Sequence, residues 1–218
     1  MKDRMEKHYV YCLMGKSGSG KDTIYARLAA DPGLSLGHLV SCTTRPMREG
    51  EQNGREYYFY TEQEFHDMLA RGAVIEHRCY QTVHGPWYYF TADDGQIDLT
   101  KRSTLVIGTL ESYASYVKWF AGKDVVRPVY VEVEDGLRLQ RSLDRERAQK
   151  VPRYQEMCRR FLSDSIDFSE DKLKEAGITR RFVNDDLEMC LTQIRDYILE
   201  GGEPARGMGT YGRALRSV

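Results

Sequence analysis

The sequence predicts an α/β protein with a doubly wound, mainly parallel sheet. Short apolar runs alternate with helical patterns along the chain. Two of the runs, at residues 103–110 and 126–133, are almost continuously apolar, as is typical of strands covered on both faces. A glycine-rich turn follows the first run, at residues 9–14, and leads into a helical pattern. Helices are therefore expected on both faces of the sheet, with ligands beyond the carboxyl ends of its strands.

Composition places the chain among ordinary globular proteins, with one domain and small appendages as the first expectation and two small domains as the second. It has 218 residues, of which 41% are hydrophobic and 30% charged. No apolar run is long enough for a membrane span, and the charged start lacks the apolar centre of a secretory signal. The net charge of −1 predicts no nucleic-acid-binding surface.

The cysteines indicate a reducing compartment. There are five of them, scattered and without a C-x-x-C pair, which predicts free thiols rather than a disulfide framework or a zinc site: Cys12, Cys42, Cys79, Cys158 and Cys190. We therefore expect a cytoplasmic protein, either monomeric or homodimeric, with no membrane partner.

The early elements are short. Residues 9–14 are apolar and aromatic and end at a glycine, which predicts a buried strand. A helix is expected over residues 21–30, because an Asp-Pro-Gly turn follows it. Short strands are expected within residues 37–45, ending near Ser41, and over residues 55–60.

The next helix has clear end signals. Thr61 can cap it, Glu64 occupies the third helical position of a capping box, and Gly72 follows its last turn. Residues 73–78 and 86–91 both follow a strand pattern. This order predicts a small antiparallel insertion.

The remaining elements return to the main sheet. After the two central strands, Glu134 and Asp135 start a helix that carries many basic residues. A last strand is expected over residues 180–185 and an amphipathic helix over residues 187–200. The predicted core comprises residues 1–40, which include the glycine-rich turn, together with residues 96–137 and 166–200. An insertion is expected over residues 41–95, a lid over residues 138–165 and a flexible tail over residues 201–218.

The glycine-rich turn fits the phosphate-loop pattern G-x-x-x-x-G-K between a strand and a helix, the context that the motif requires. Its backbone N–H groups and the helix N-terminus can bind phosphate oxygens, and Lys21 can reach the terminal phosphates. Asp22 follows the lysine where Ser or Thr is usual, so Thr23 is the expected hydroxyl on the magnesium side. A glycine-rich turn without a ligand is the alternative. The predicted phosphate-binding residues are Gly15, Lys16, Ser17, Gly18, Ser19, Gly20, Lys21, Asp22 and Thr23.

A second anion site is expected shortly after the predicted strand near Ser41. Arg45 and Arg48 are three residues apart, and Tyr57 follows. Two guanidinium groups and a phenol can hold one phosphate by charge-assisted hydrogen bonds. A polar surface hairpin with solvated arginines is the alternative.

A basic segment follows the last central strand. Residues 138–160 carry eight basic residues against three acidic ones. In a nearly neutral protein this indicates a small anionic ligand, whereas the alternative is a solvated helix face.

The second anion segment, SCTTRPMREGEQNGREYYF, resembles the monophosphate-binding segment of the guanylate kinase family, S-x-T-T-R-x-x-R-x-G-E-x-x-G-x-x-Y-x-F, at every defined position. The resemblance covers residues 9–199 and includes VIE at residues 74–76 and VNDDL at residues 183–187. It implies a P-loop NTPase core with a small monophosphate-binding insertion and a helical lid. The implied activity is phosphoryl transfer from ATP, with Mg²⁺, to GMP or dGMP.

The resemblance also implies roles for individual residues. Ser41 and Glu76 would bind guanine, and Asn184 would lie near the adenine of ATP. The implied catalytic residues are Lys21, Arg45, Arg141, Arg145 and Arg160. The implied GMP-binding residues are Ser41, Arg45, Arg48, Tyr57, Glu76, His84 and Thr109.

Three features depart from the family pattern. Where the family has tyrosine, glycine and a hydroxyl residue after the glutamate, the stretch taken to correspond is His84, Gly85 and Pro86. An Asp-x-Asp pair is replaced by Ile107 and Thr109, and the lid is longer. These departures leave two alternatives: a kinase for another (deoxy)nucleoside monophosphate, and a binding module without catalysis.

Overall fold

A computed structural model describes residues 7–82 and 85–202. Its main sheet has five parallel strands in the order β2-β7-β1-β8-β9. These strands are β1 Val10–Met14, β2 Gly37–His38, β7 Thr104–Ile107, β8 Val126–Glu132 and β9 Phe182–Val183.

The described residues form seven helices. They are α1 Lys21–Ala29, α2 Glu62–Ala70, α3 Leu110–Trp119, α4 Asp135–Arg147, α5 Tyr154–Asp167, α6 Glu170–Glu175 and α7 Leu187–Leu199. Of these, α1, α3, α6 and α7 contribute to the cores on the two faces of this sheet.

The central strand β1 shows why helices pack on both faces. All five of its residues are buried, and successive side chains of a strand point to opposite faces. Val10, Cys12 and Met14 pack in one core cluster with residues of α3 and α6. Tyr11 and Leu13 pack in another with residues of α1 and α7. The predicted doubly wound sheet is confirmed.

A second sheet has four strands in the order β4-β3-β6-β5. Its strands are β3 Cys42–Thr43, β4 Tyr58–Phe59, β5 Val74–Thr82 and β6 Gly85–Ala92. Strands β5 and β6 are antiparallel, as expected, whereas β3 and β4 are parallel. Phe65 and Met68 of α2 pack with Phe90 beneath this sheet.

Several predicted strands are shorter than their sequence pattern. The strand expected within residues 37–45 is two strands, because the chain leaves the main sheet after His38 and enters the second sheet at Cys42. The strand expected over 55–60 is only β4, and that over 180–185 is only β9. Helix α6 was not predicted. The capping box of α2 is present as expected.

The part of the chain that the structure describes contains no helix that could cross a membrane. All five cysteines are free. Most of the predicted tail, residues 203–218, lies outside the described residues, and so does His84.

Candidate active site

The phosphate loop, residues 15–21, leaves the carboxyl end of β1 and enters α1 at Lys21. Gly18 and Gly20 have φ angles of +82° and +83°, a region that side chains other than glycine rarely adopt. A Cβ at Gly18 would lie 2.5 Å from the Arg138 carbonyl oxygen. Strand, loop and helix therefore have the arrangement that binds phosphate through backbone N–H groups.

Asn184, directly after β9, braces the loop. Its side-chain nitrogen donates to the Ser19 carbonyl at 2.7 Å. Two guanidinium nitrogens of Arg141 donate to the Asn184 backbone carbonyl, each at 3.1 Å. Ser19 Oγ and Asn184 Oδ1 are buried and make no hydrogen bond within the described residues. The Asn184 amide nitrogen is thus bonded to the loop. The contact of Asn184 with adenine stays a prediction.

The residues after the loop lie on the first turn of α1. The Lys21 ammonium is 3.7 Å from the Asp22 carboxylate, and the Asp22 side chain is 79% exposed. Asp22 therefore points to solvent, where an acidic group in the first turn suits the helix dipole. Thr23 is also exposed, so its hydroxyl is accessible to a metal–nucleotide complex.

The residues of the second predicted anion site contact Glu51 or lie beside it. The Glu51 carboxylate accepts from both terminal nitrogens of the buried Arg45, at 2.6 and 2.7 Å, and from the Arg48 backbone N–H at 2.8 Å. The Arg45 guanidinium lies 5.1 Å from the centre of the Tyr57 ring. The centres of the Tyr57 and Tyr89 rings are 5.6 Å apart. The structure therefore brings Arg45 and Tyr57 together, whereas the exposed Arg48 contacts Glu51 through its backbone N–H.

Electrostatics reflects this pairing. The hydrogen bonds from Arg45, then that from the Arg48 backbone, lower the pKa of Glu51 from 4.5 to about 2. Burial raises the pKa of Tyr57 above 10.0. Glu51 is thus ionised and Tyr57 protonated at neutral pH, so the tyrosine can donate to an anion.

Glu76 is a buried carboxylate held by hydroxyl groups. Its Oε1 accepts from Thr91 at 3.0 Å and its Oε2 from Ser112 at 3.1 Å. Since Thr91 donates to the carboxylate, Tyr116, 3.0 Å away, donates to Thr91. Burial of the Cys12 thiol on β1 raises its pKa, and the nearby charge of Glu76 raises it further.

Glu76 lies on the same edge of the main sheet as the phosphate loop. Ser112 is in the first turn of α3, directly after β7, and β7 pairs with β1. Thr109 caps α3 and accepts from the Ser112 backbone N–H at 3.3 Å. Ser41 precedes β3, and its carbonyl accepts from Tyr58 at 2.9 Å.

A cavity of about 500 Å³ lies between α4 and α5 and reaches the phosphate loop at Ser17. Arg145 and Arg160 line it, whereas Arg141 is bound to Asn184. Hydrogen bonds from Arg159 and Arg160 lower the pKa of Glu156, also in the lining, to about 2. Two of the three predicted lid arginines therefore face a space next to the loop.

Arg138 and Asp164 connect α4 and α5 to the loop. Arg138 is fully buried, 3.8 Å from the centre of the Phe161 ring, and donates to Asp135 at 2.7 Å. Its guanidinium also approaches the Ser17 carbonyl at 3.4 Å. Asp164 accepts from the Ser17 backbone N–H at 2.6 Å. An internal carboxylate thus holds a loop donor of the kind that phosphate uses.

Known proteins resemble the chain over most of its length. The sequence model of the guanylate kinase family matches residues 7–94. The guanylate kinase of Porphyromonas gingivalis is 31% identical over 190 residues, which cover 86% of this chain and 95% of that protein. The chain belongs to the guanylate kinase family. Members of this family are phosphotransferases that bind nucleotides, and the chain is therefore a kinase of this kind.

Two further guanylate kinases extend this likeness. That of Thermotoga maritima is 29% identical over 196 residues, which cover 88% of this chain and 79% of that protein. A crystal structure of the guanylate kinase from Anaplasma phagocytophilum covers 94% of this chain and 92% of its own, with 21% identity and a TM-score of 0.58. At this identity, the structural likeness shows the fold alone.

The structure corrects one comparison with the guanylate kinase pattern. The hydroxyl beside Glu76 belongs to Thr91, which faces Glu76 across the β5–β6 pair, and not to the stretch around Pro86. The tyrosine beside Tyr57 is Tyr89. The inference from Pro86 that the hydroxyl beside Glu76 is lost was therefore wrong, because Thr91 supplies one.

Several residues of the candidate site carry no assigned role in the sequence analysis. Arg138 stood in the basic segment but was not assigned a role. Ser112 and Thr91 had no signal beyond their positions near predicted strand ends. Asp164 belongs to a helix whose contact with the loop spans 147 residues, a separation that no local pattern reports.

Proposed function

We propose that the protein is an ATP-dependent nucleoside monophosphate kinase that transfers a phosphoryl group from MgATP to GMP or dGMP. The observation that carries this proposal is the buried Glu76 carboxylate beside the edge where the phosphate loop begins. A carboxylate only accepts hydrogen bonds. It therefore suits guanine, with adjacent N1–H and 2-amino donors, and disfavours adenine, whose N1 is an acceptor.

The monophosphate of the acceptor fits the group around Glu51. Arg45 lies against Tyr57, and Glu51 fixes the Arg45 guanidinium by two hydrogen bonds. The exposed Arg48 side chain starts from a backbone held on the same carboxylate. An arginine fixed like Arg45 loses less side-chain freedom when an anion binds. The remaining N–H donors of Arg45 and the Tyr57 hydroxyl are the proposed ligands.

The triphosphate fits the phosphate loop. Gly18 and Gly20 have positive φ angles and leave no room for a Cβ, since one would meet the Arg138 carbonyl and the Asn184 amide at 2.5 Å. Lys21 begins the helix that follows. Arg145 and Arg160, across the cavity between α4 and α5, supply further positive charge. Charge neutralisation of this kind is the main protein contribution to phosphoryl transfer.

The residues present fit a nucleotide-borne Mg²⁺. The described residues contain no group of three or more His, Cys, Asp or Glu side chains able to hold a metal, and the exposed Thr23 hydroxyl is an oxygen donor of the type Mg²⁺ accepts. Mg²⁺ commonly takes its other ligands from phosphates and water. When bound, it neutralises phosphate charge.

The reaction needs no strong general base, because the acceptor phosphate oxygen is already anionic at neutral pH. The protein must bring this oxygen and the terminal phosphate into line and keep water out. The arginines on α4 and α5 are placed to do so when these helices close over the phosphates.

A panel of acceptors tests the proposal. ADP release with MgATP is measured by a coupled assay against GMP, dGMP, AMP, CMP, UMP and dTMP. Rapid turnover with GMP and dGMP and little with the others is expected. Preferred turnover of a non-guanine acceptor would overturn the Glu76 assignment while leaving the kinase assignment intact.

One observation keeps a second acceptor in view. Ile107, which stands where the family pattern has an aspartate, exposes 36% of its surface at the end of β7. An apolar side chain there can accommodate a different (deoxy)nucleoside. The same panel separates the two candidates, and nucleotide binding without any turnover would identify a binding module.

A further inference from the structure

The contact between Ser112 and Glu76 concerns base discrimination. Ser112 is buried at the start of α3, and its hydroxyl donates to Glu76 Oε2 at 3.1 Å. We propose that Ser112 is a positioning residue that keeps the Glu76 carboxylate turned toward the base and away from Arg78. This inference rests on the proposed function, since it concerns how Glu76 reads the purine.

Two groups compete for the same carboxylate oxygen. Arg78 Nε is buried, makes no hydrogen bond within the described residues and lies 3.7 Å from Glu76 Oε2. A buried donor of this kind gains when an acceptor moves into hydrogen-bond range. Ser112, already at 3.1 Å, holds the oxygen back. Without that hydroxyl, the carboxylate is expected to rotate toward Arg78.

The hydroxyl contacts leave Glu76 able to bind a base. Each carboxylate oxygen has two lone pairs, and Thr91 and Ser112 each use one, on different oxygens. One acceptor site per oxygen remains, which suits two adjacent N–H donors. Rotation toward Arg78 would misalign this pair of acceptors.

The role of Ser112 is separable from the helix cap. Thr109 Oγ1 accepts from the backbone N–H of Ser112, which any substitution except proline retains. The Ser112 hydroxyl also lies 3.2 Å from Thr109 Oγ1, within hydrogen-bond distance. The change Ser112→Ala therefore removes this contact and the bond to Glu76, and it keeps the backbone hydrogen bond of the cap. Ser115, one turn further along the same helix and half-buried, provides a matched control as Ser115→Ala.

GMP and IMP test the inference, because IMP keeps the N1–H but lacks the 2-amino group. The ratio of kcat/KM for GMP to that for IMP measures acceptance of both donors. In Ser112→Ala we expect this ratio to fall about tenfold, the equivalent of one hydrogen bond. The fall should come from a higher KM for GMP, with kcat for GMP changing less. Ser115→Ala should keep the wild-type ratio.

A second substitution tests the competition directly. In the Ser112→Ala background, Arg78→Met removes the competing donor and should restore part of the GMP/IMP ratio. No restoration would overturn the role given to Arg78. An unchanged ratio in Ser112→Ala, with only a lower Tm, would show that Ser112 is merely structural. Absence of GMP turnover in the wild-type enzyme would instead overturn the proposed function itself.

Discussion

Arg45 and Glu51 form a salt bridge at 2.6 Å with the Arg45 side chain only 4% exposed. The bridge orders a side chain that the sequence assigns to phosphate. Arg45 also donates to the Pro46 carbonyl at 2.9 Å, so its plane is fixed before a ligand arrives. Preorganisation of this kind lowers the entropic cost of binding.

The Arg45–Glu51 pair predicts a pH dependence of stability. Because the pKa of Glu51 is depressed from 4.5 to about 2, its contribution is complete above pH 4.5 and is lost as pH falls toward 2. Glu51→Gln should therefore be less stable than wild type at pH 7. The difference in unfolding free energy from urea titrations should shrink between pH 4.5 and 2.

The exposed Glu49, two residues earlier, supplies the control. Glu49→Gln should follow the wild-type profile throughout. A Glu51→Gln difference that stays constant down to pH 3 would show that the ion pair is not the cause.

Substitution of Lys21 should cause the largest loss of activity of any single substitution. In the proposed function the Lys21 ammonium neutralises the terminal phosphates, and removal of one group that stabilises transition-state charge typically costs about 10²–10³ in kcat. Lys21→Ala should therefore lose turnover by that factor while its Tm stays near wild type, as measured by the coupled assay and thermal unfolding. The exposed Lys118 of α3 gives the control Lys118→Ala, and turnover retained in Lys21→Ala would refute the assignment.

At the scale of elements, α5 and the phosphate loop are joined by one charge-assisted hydrogen bond. Asp164 accepts from the Ser17 N–H at 2.6 Å, and no residue of α5 is fully buried. The helix therefore depends on a few polar contacts and on Arg138 for its position. In the proposed function, a negative group at this point would also compete with phosphate for the Ser17 N–H.

Asp164→Asn should strengthen nucleotide binding. Loss of the carboxylate removes both its repulsion of phosphate and its charge-assisted hydrogen bond, worth about 1.5–3 kcal/mol. We expect the Kd for ATP, measured by calorimetry without an acceptor, to fall by roughly tenfold.

Asp167→Asn gives the matched control for that measurement. Asp167 is exposed on the same helix and accepts from Ser163 rather than from the loop. Weaker ATP binding in Asp164→Asn would show that the carboxylate supports the nucleotide-bound loop instead of competing with phosphate.

At the scale of the whole molecule, the main sheet separates two cores. Ile178 belongs to the cluster with α3 and α6, and Ile24 to the cluster with α1 and α7. Both are buried, and the sheet lies between the clusters. Substitutions at the two sites should therefore act independently.

Ile24→Val and Ile178→Val test this independence. Each should cost about 0.5–1.5 kcal/mol of unfolding free energy, and the double variant should lose their sum within about 0.5 kcal/mol. Urea denaturation of the four proteins measures this cycle. A coupling clearly above that margin would mean that the two cores respond as one.

Local chemistry made much of the architecture predictable. The capping box from Thr61 to Glu64, the strand–loop–helix context of Lys21 and the apolar strand ending at Met14 each depend on neighbours in sequence. Strand lengths were less predictable, because β4 and β9 end where their partner strands stop pairing. Helix α6 has no side-chain hydrogen bond at its N-cap.

The sequence by itself determined the doubly wound fold, because that follows from the period of its apolar residues. Motif spacing determined the phosphate loop and which charged residues are candidates for the site. Only the tertiary structure decided which side chains meet. It placed Ser112 and Thr91 on Glu76, Asp164 on the loop and Arg141 on Asn184. These contacts join residues far apart in the chain, and their partners depend on the angles at which helices and sheets pack, which no local pattern encodes.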